Sequence, residues 1–194
     1  MNSIDSTNEN IFTIEYSDVI DISPIKDVGL FYLDPILDIR ILYSCNSNLI
    51  TKDALHYISC QNKSSYIALR IDTIGYMWEV SIIQAKYNYL NQLIDFHILQ
   101  ALDGIPVFNF NNMENIKQQF PNIVNCNPRI TVFTNAIRID LFYHPTEMDL
   151  EWICCGQLYY GFDFKELHAL IYKFKESDDE ELELLERLRK SNIE

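Results

Sequence analysis

Residues 66–85 constrain the fold most, because two runs of alternating apolar and polar residues are joined there by a short link. In an extended chain Ile67, Leu69 and Ile71 share one side, which is the period of a strand with one buried face. The second run begins after Gly75, a residue that tolerates the positive φ of a tight turn. The stretch therefore predicts an antiparallel β-hairpin.

The period of the pattern changes after this hairpin. Apolar residues and one histidine then recur at helical spacing, namely Leu90, Leu93, Ile94, His97, Ile98, Ala101 and Leu102. Gly104 and Pro106 follow, and both residue types commonly end helices. We therefore predict a helix over residues 86–103 that covers the apolar face of the hairpin, with His97 in its buried stripe.

The remaining chain mixes strand-like and helix-like segments. Alternation predicts further strands near residues 12–16, 28–33, 37–44, 105–110 and 157–160. It also predicts a second hairpin over residues 130–143. Short helices are expected near residues 51–60 and 112–120. Asp163 with Glu166, and Ser177 with Glu180, match capping boxes that begin two C-terminal helices, the last one running from 178 to about 190. The predicted fold class is α+β, a mainly antiparallel sheet of about six to eight strands packed by the central helix.

The length and composition of the chain indicate one domain. With 194 residues, of which 48% are hydrophobic, it can bury a substantial core. We expect a flexible tail over residues 1–10, a single domain over residues 11–176, and a charged C-terminal helix over residues 177–194. That helix is expected to belong to the domain or to dock on it.

The charge and the cysteines bound the partners and the compartment. A formal net charge of −13 opposes binding to nucleic acids and anionic membranes and favours basic partners. No run approaches the roughly 18 apolar residues of a membrane span, and the first residues lack the pattern of a secretory signal. Five cysteines without a CxxC pair are typical of a reducing compartment. We therefore expect a cytoplasmic protein.

Motifs for catalysis are weak. The sequence contains neither a phosphate-binding glycine loop nor a nucleophile elbow. Cys154 and Cys155 lie in an apolar run, which indicates packing rather than reactivity. We predict no catalytic residue and no cofactor.

The stretch around His144 is the best candidate for a metal site or an enzyme site. Glu147, Asp149 and Glu151 follow this histidine, and carboxylates with an imidazole can bind a divalent cation. The stretch lacks the glycine or asparagine that usually shapes such loops. We therefore predict no metal and keep an enzyme site near His144 as an alternative.

Acidic and aromatic residues indicate binding to another protein. Tyrosines are common anchors of interfaces, and carboxylates can meet the Lys and Arg of a partner. The predicted partner-binding residues are Glu147, Asp149, Glu151, Tyr159, Tyr160, Asp178, Asp179, Glu180 and Glu183. The competing interpretation is that the tyrosines are buried and that the helix merely faces solvent.

These patterns favour a non-enzymatic acidic protein that binds and neutralises a basic partner. The leading hypothesis is an inhibitor or immunity protein that occludes the active site of a toxin or nuclease-like protein. The alternatives are an enzyme with a site near His144, and an adaptor or chaperone that uses a sheet edge or an apolar groove.

Overall fold

The computed structural model describes residues 14–23, 25–33, 36–43, 55–61, 66–72, 74–84, 87–109, 122–125, 128–142 and 150–191. Within these ranges the chain forms fifteen strands and one α-helix. In chain order they are β1 (Glu15–Ile20), β2 (Ile25–Leu33), β3 (Ile36–Tyr43), β4 (Leu55–Gln61), β5 (Tyr66–Asp72), β6 (Met77–Gln84), β7 (Tyr87–Tyr89), β8 (Leu102–Asp103), β9 (Ile105–Asn109), β10 (Asn122–Asn125), β11 (Arg129–Val132), β12 (Ala136–Asp140), β13 (Glu151–Cys155), β14 (Leu158–Asp163), β15 (Glu166–Lys173) and α1 (Asp179–Ser191).

The first sheet contains nine strands. Seven of them lie side by side in the order β7-β11-β12-β15-β14-β13-β8, and β1 joins β15 to β9. The outermost strands β7 and β8 pair in parallel with their neighbours, whereas the strands between them are antiparallel. The predicted hairpin at residues 130–143 is confirmed as β11 and β12.

The second sheet contains six strands in the order β10-β4-β5-β6-β3-β2. The predicted hairpin at residues 66–85 is confirmed as β5 and β6, and Gly75 has a φ of 108° in the turn. Phe108 N in β9 donates a hydrogen bond of 2.9 Å to Gly75 O, so this turn also contacts the first sheet. Both sheets contribute to one buried cluster, with Ile39 and Leu69 on one side and Tyr160 on the other.

Helix α1 closes the C-terminal end of the described chain and confirms the predicted final helix. The predicted capping box of Ser177 and Glu180 is wrong, because Asp178 is the cap and its Oδ1 accepts hydrogen bonds from the backbone N–H groups of Glu180 and Glu181. Leu184 and Leu185 are buried in the shared core. The buried carboxylate of Glu181 accepts a hydrogen bond of 2.5 Å from the hydroxyl of Tyr172, which ties the helix to β15.

The predicted α+β class is wrong, because the described chain is mostly β, with α1 as its single helix. The predicted central helix over residues 86–103 is replaced by β7, an irregular segment and β8. His97 is exposed and does not lie in a buried stripe. The helix expected near residues 51–60 is strand β4, and the helix expected near 112–120 lies outside the described residues.

The helix predicted after Asp163 is also wrong, because this segment forms strand β15. Its six central residues are all buried, so both faces of the strand are covered. A strand that is buried on both faces reads as a continuous apolar run, without the period of two. The apolar residues of this segment therefore also recur at helical spacing, and together with the apparent capping box this spacing gave the wrong prediction of a helix.

Candidate protein-interaction surface

An irregular segment of residues 90–101, the strap, connects β7 to β8 and so joins the two outer edges of the first sheet. It crosses the face of the sheet that points away from the core. Tyr160 faces the core, and the neighbouring Tyr159 therefore points to the opposite face. The ring of Phe96 in the strap lies 4.8 Å from the ring of Tyr159 between centroids.

Hydrogen bonds to the turn between β11 and β12 fix the first half of the strap. Ile94 N donates to Asn135 Oδ1 at 2.9 Å, and Asn135 Nδ2 donates to Ile94 O at 2.9 Å. Thr134 N donates to Gln92 O at 3.0 Å. Lys173 adds a cation–π contact, with Nζ 5.1 Å from the centroid of the Phe96 ring. The backbone around Gln92 and Ile94 is thus held against the sheet without regular secondary structure.

Large apolar side chains of this region point into solvent. The exposed fraction is 73% for Leu93, 74% for Ile98 and 60% for Leu102, the first residue of β8, and Leu90 is also exposed. We call these four residues the apolar strap surface. They are distributed along the strap, from Leu90 beside β7 to Leu102 in β8, and exposed apolar side chains of this size are candidate contacts for another protein.

The predicted binding residues near the His144 stretch have different positions. Glu147, Asp149 and His144 lie outside the described residues, while Glu151 is exposed at the start of β13. Tyr159 is half-buried beneath Phe96. Tyr160 is fully buried, with 0% exposure, so its predicted role as a partner-binding residue is wrong.

The predicted binding residues of α1 form a separate group. Asp179, Glu180 and Glu183 are exposed, whereas Asp178 is engaged in capping the helix. Glu151 lies opposite Phe162 at one end of the β13–β14 pair, while α1 contacts Tyr172 at the other end of the adjacent strand β15. The structure therefore does not bring Glu151 and the helix carboxylates into one site.

The two adjacent cysteines of β13, Cys154 and Cys155, do not have the properties of nucleophiles. Burial raises the pKa of the Cys155 thiol to about 12. Burial also raises the pKa of Cys154, whose Sγ donates a hydrogen bond of 3.3 Å to Gly156 O. Both thiols are therefore protonated at neutral pH, and the thiolate is the reactive form.

Two other kinds of site are absent from the described ranges. Within them, no three His, Cys, Asp or Glu side chains are arranged to hold a metal ion. The part of the chain that the structure describes also contains no helix that is long and apolar enough to cross a membrane.

Sequence reasoning missed the strap, because its apolar residues fit a helical stripe. The available signal was the set of asparagines and aspartates around it, Asn88, Asn91 and Asp95, which are poor formers of helix interiors. Comparison with known proteins assigns no family, since no protein-family model and no curated protein matches the chain.

Proposed function

We propose that this protein binds a basic protein partner and acts as an inhibitor or immunity protein that occludes the partner's functional surface. The observation that carries the proposal is the apolar strap surface. Leu93 is 73% exposed although two hydrogen bonds to Asn135 hold the neighbouring Ile94, and Ile98 is 74% exposed. Burial of such side chains in a complex would supply binding free energy without a large cost of ordering the chain.

The charge of the molecule supports a basic partner over a second copy of the chain. Asp95 and Asp103 are exposed beside the apolar side chains, and the net charge is −13. Two copies would repel each other as they approached, whereas a partner rich in Lys and Arg would be attracted and would associate faster.

The acidic half of α1 extends this argument beyond the strap. Asp179 and Glu180 are exposed and form no ion pair with another described residue. Phe174 N donates to Asn135 O at 3.0 Å, so the segment that leads into α1 starts beside the residue that fixes the strap. These carboxylates add to the negative charge that a basic partner would meet as it approaches.

Selection from a displayed library of random-sequence peptides tests the proposal with a defined probe. We expect peptides enriched on the wild-type protein to combine Lys or Arg with bulky apolar residues. The double variant Leu93→Lys/Ile98→Lys should weaken their binding by at least about tenfold. Ile22→Lys is the matched control, because Ile22 is an exposed apolar residue outside the strap. Equal binding to the double variant, or no enrichment, would contradict the proposal.

The same surface favours an adaptor as a second candidate, because apolar contacts alone can hold an uncharged segment. An inhibitor of a basic partner should lose affinity when salt is raised from about 0.05 M to about 0.5 M, since screening shortens the reach of its charges. An adaptor should enrich peptides without Lys or Arg and keep its affinity over this range. Salt titration of the selected peptides therefore separates the two candidates.

A further inference from the structure

The turn between β14 and β15 has an unusual composition for its geometry. Asp163 pairs with Glu166, and the two residues between them, Phe164 and Lys165, have φ angles of 44° and 74°. Two successive positive φ values mark the hairpin turn that normally contains asparagine and glycine. A bulky residue in this conformation is strained.

Packing does not explain the presence of phenylalanine at the first turn position. Phe164 is 92% exposed, so its ring buries almost no surface within the fold. Asparagine or glycine would fit the backbone better without any loss of core packing. A strained and exposed aromatic residue is therefore better explained by an external contact than by stability.

Acidic residues surround this hairpin tip. Glu166 lies opposite both Asp163 and Glu15 in the ladders, and Glu151 lies opposite Phe162, next to Asp163. Like charges directly opposite each other destabilise a sheet. The only basic residue of the turn itself is Lys165, and its Nζ lies 5.7 Å from the centroid of the Tyr16 ring. The imidazole of the buried His168 lies beside Glu166, with Nε2 3.8 Å from Oε2, and the other carboxylates keep the rim of the tip predominantly negative.

We propose that the hairpin tip is a second protein-docking surface, on which Phe164 inserts into an apolar pocket of a partner whose pocket rim carries Lys or Arg. The aromatic ring supplies the anchor, and the carboxylates of Glu15, Glu151, Asp163 and Glu166 set the charge of the partner. The negative rim disfavours insertion into an anionic membrane. The tip is separate from the strap, because Phe164 is five residue steps of extended chain, about 17 Å, away from Tyr159.

Phe164→Gly is the main test, because it removes the ring and also relieves the positive φ. We expect the Tm of the full chain to stay the same or to rise. Disulfide-constrained random peptides are selected on the wild-type protein, and their affinity for this variant is then measured. We expect at least one group of related peptides to bind the variant at least about tenfold more weakly than the wild type. This group should be rich in Lys or Arg and should bind Leu93→Lys/Ile98→Lys as well as it binds the wild type.

The charge of the rim is tested separately with Asp163→Asn/Glu166→Gln. The same peptides should bind this variant several-fold more weakly, and the loss of affinity should shrink at high salt.

Co-sedimentation with phosphatidylcholine vesicles tests whether the tip binds a membrane instead, and we expect no co-sedimentation of the wild-type protein with them.

Three results would overturn the proposal. A fall in Tm in Phe164→Gly would make Phe164 a structural residue. Selection that yields only peptides indifferent to Phe164→Gly would remove the tip as a docking surface and leave the strap unaffected. Vesicle binding that depends on Phe164 would replace the protein partner with a lipid surface. Conversely, the selection could yield peptides that depend on Phe164 and none that depend on Leu93 and Ile98. That result would contradict the proposed function of the strap and would support the hairpin tip as a docking surface.

Discussion

A single buried polar side chain determines how one turn of this protein is built. Asp72 is fully buried, and its Oδ1 accepts hydrogen bonds from the backbone N–H groups of Ile74, Gly75 and Tyr76 at 2.8 to 2.9 Å. One carboxylate oxygen thus organises the whole turn between β5 and β6. Removing it would take an acceptor from three backbone N–H groups, of which Gly75 N also donates to Asp72 O at 3.2 Å.

Asp72→Ala should therefore lower the free energy of unfolding by about 2–4 kcal/mol, since it removes the three hydrogen bonds that one buried side-chain oxygen accepts. Urea denaturation followed by fluorescence measures the change. Asp103→Ala, at an exposed position, should alter the stability by less than about 0.5 kcal/mol. Asp72→Asn should recover part of the loss because it keeps one acceptor oxygen. Equal stability of Asp72→Ala and the wild type would show that the turn does not need this carboxylate.

At the scale of elements, alternation predicted strands well and the helical stripe predicted helices poorly. The hairpin of β5 and β6 was recovered because one face is buried and the turn carries glycine. The strap was mistaken for a helix because spacing alone cannot show where backbone hydrogen bonds go, and those of Ile94 go to the Asn135 side chain. Phe164 fell inside a predicted helix, so the hairpin tip could not be recognised from the sequence.

The contact between the β5–β6 turn and β9 makes a prediction about Gly75. A Cβ at this position would overlap the backbone carbonyl of Phe108, and the φ of 108° is unfavourable for any side chain. Gly75→Ala should lower the free energy of unfolding by about 3 kcal/mol or more. Gly29→Ala is the control, because its Cβ would approach only the exposed side chain of Phe31, at 3.3 Å. Thermal unfolding of both variants measures the difference, and equal Tm values would argue against a close approach at Gly75.

The attachment of the strap makes a second prediction at this scale. Asn135→Ala removes both side-chain hydrogen bonds to Ile94. We expect faster amide hydrogen exchange across residues 90–101, with little change in the buried strands β5 and β15. Binding of strap-dependent peptides should weaken as well, because the loosened segment must be ordered again on binding. Asn88→Ala, an exposed position of β7, is the control, and unchanged exchange in Asn135→Ala would show that other contacts suffice.

At the scale of the whole molecule, the fold separates its two candidate surfaces. The strap crosses the end of the first sheet at which Tyr159 lies, and the hairpin tip is formed at the far end of β14 and β15. The core between them is shared by both sheets, so neither surface can move independently as a separate domain. A protein built in this way can hold two contact points at a fixed spacing on one large partner or on two partners.

Burial of thiol and phenol groups across the core predicts a loss of stability at alkaline pH. The pKa of Cys155 rises from its ordinary 9.0 to about 12 through burial. Burial and the hydrogen bond to Glu181 also raise the pKa of Tyr172 above its ordinary 10.0. At pH values between the pKa of these groups in the unfolded chain and their pKa in the folded chain, the unfolded chain releases protons that the folded chain retains. Unfolding therefore becomes more favourable as the pH rises. The stabilising contribution is therefore complete below about pH 9 and is lost progressively above it.

Urea denaturation at pH values from about 7 to about 10 in reducing buffer tests the predicted loss of stability at alkaline pH. Each proton that only the folded chain retains lowers the free energy of unfolding by about 1.4 kcal/mol per pH unit. Cys155→Ala should be less stable than the wild type at pH 7 because it leaves a small cavity. Its stability should nevertheless fall less steeply above about pH 9, because it has no thiol proton to retain. Lysines titrate equally in both proteins and cancel in the comparison. Parallel stability curves for the two proteins would mean that Cys155 ionises in the folded state as easily as in the unfolded chain, which is incompatible with its burial in the core.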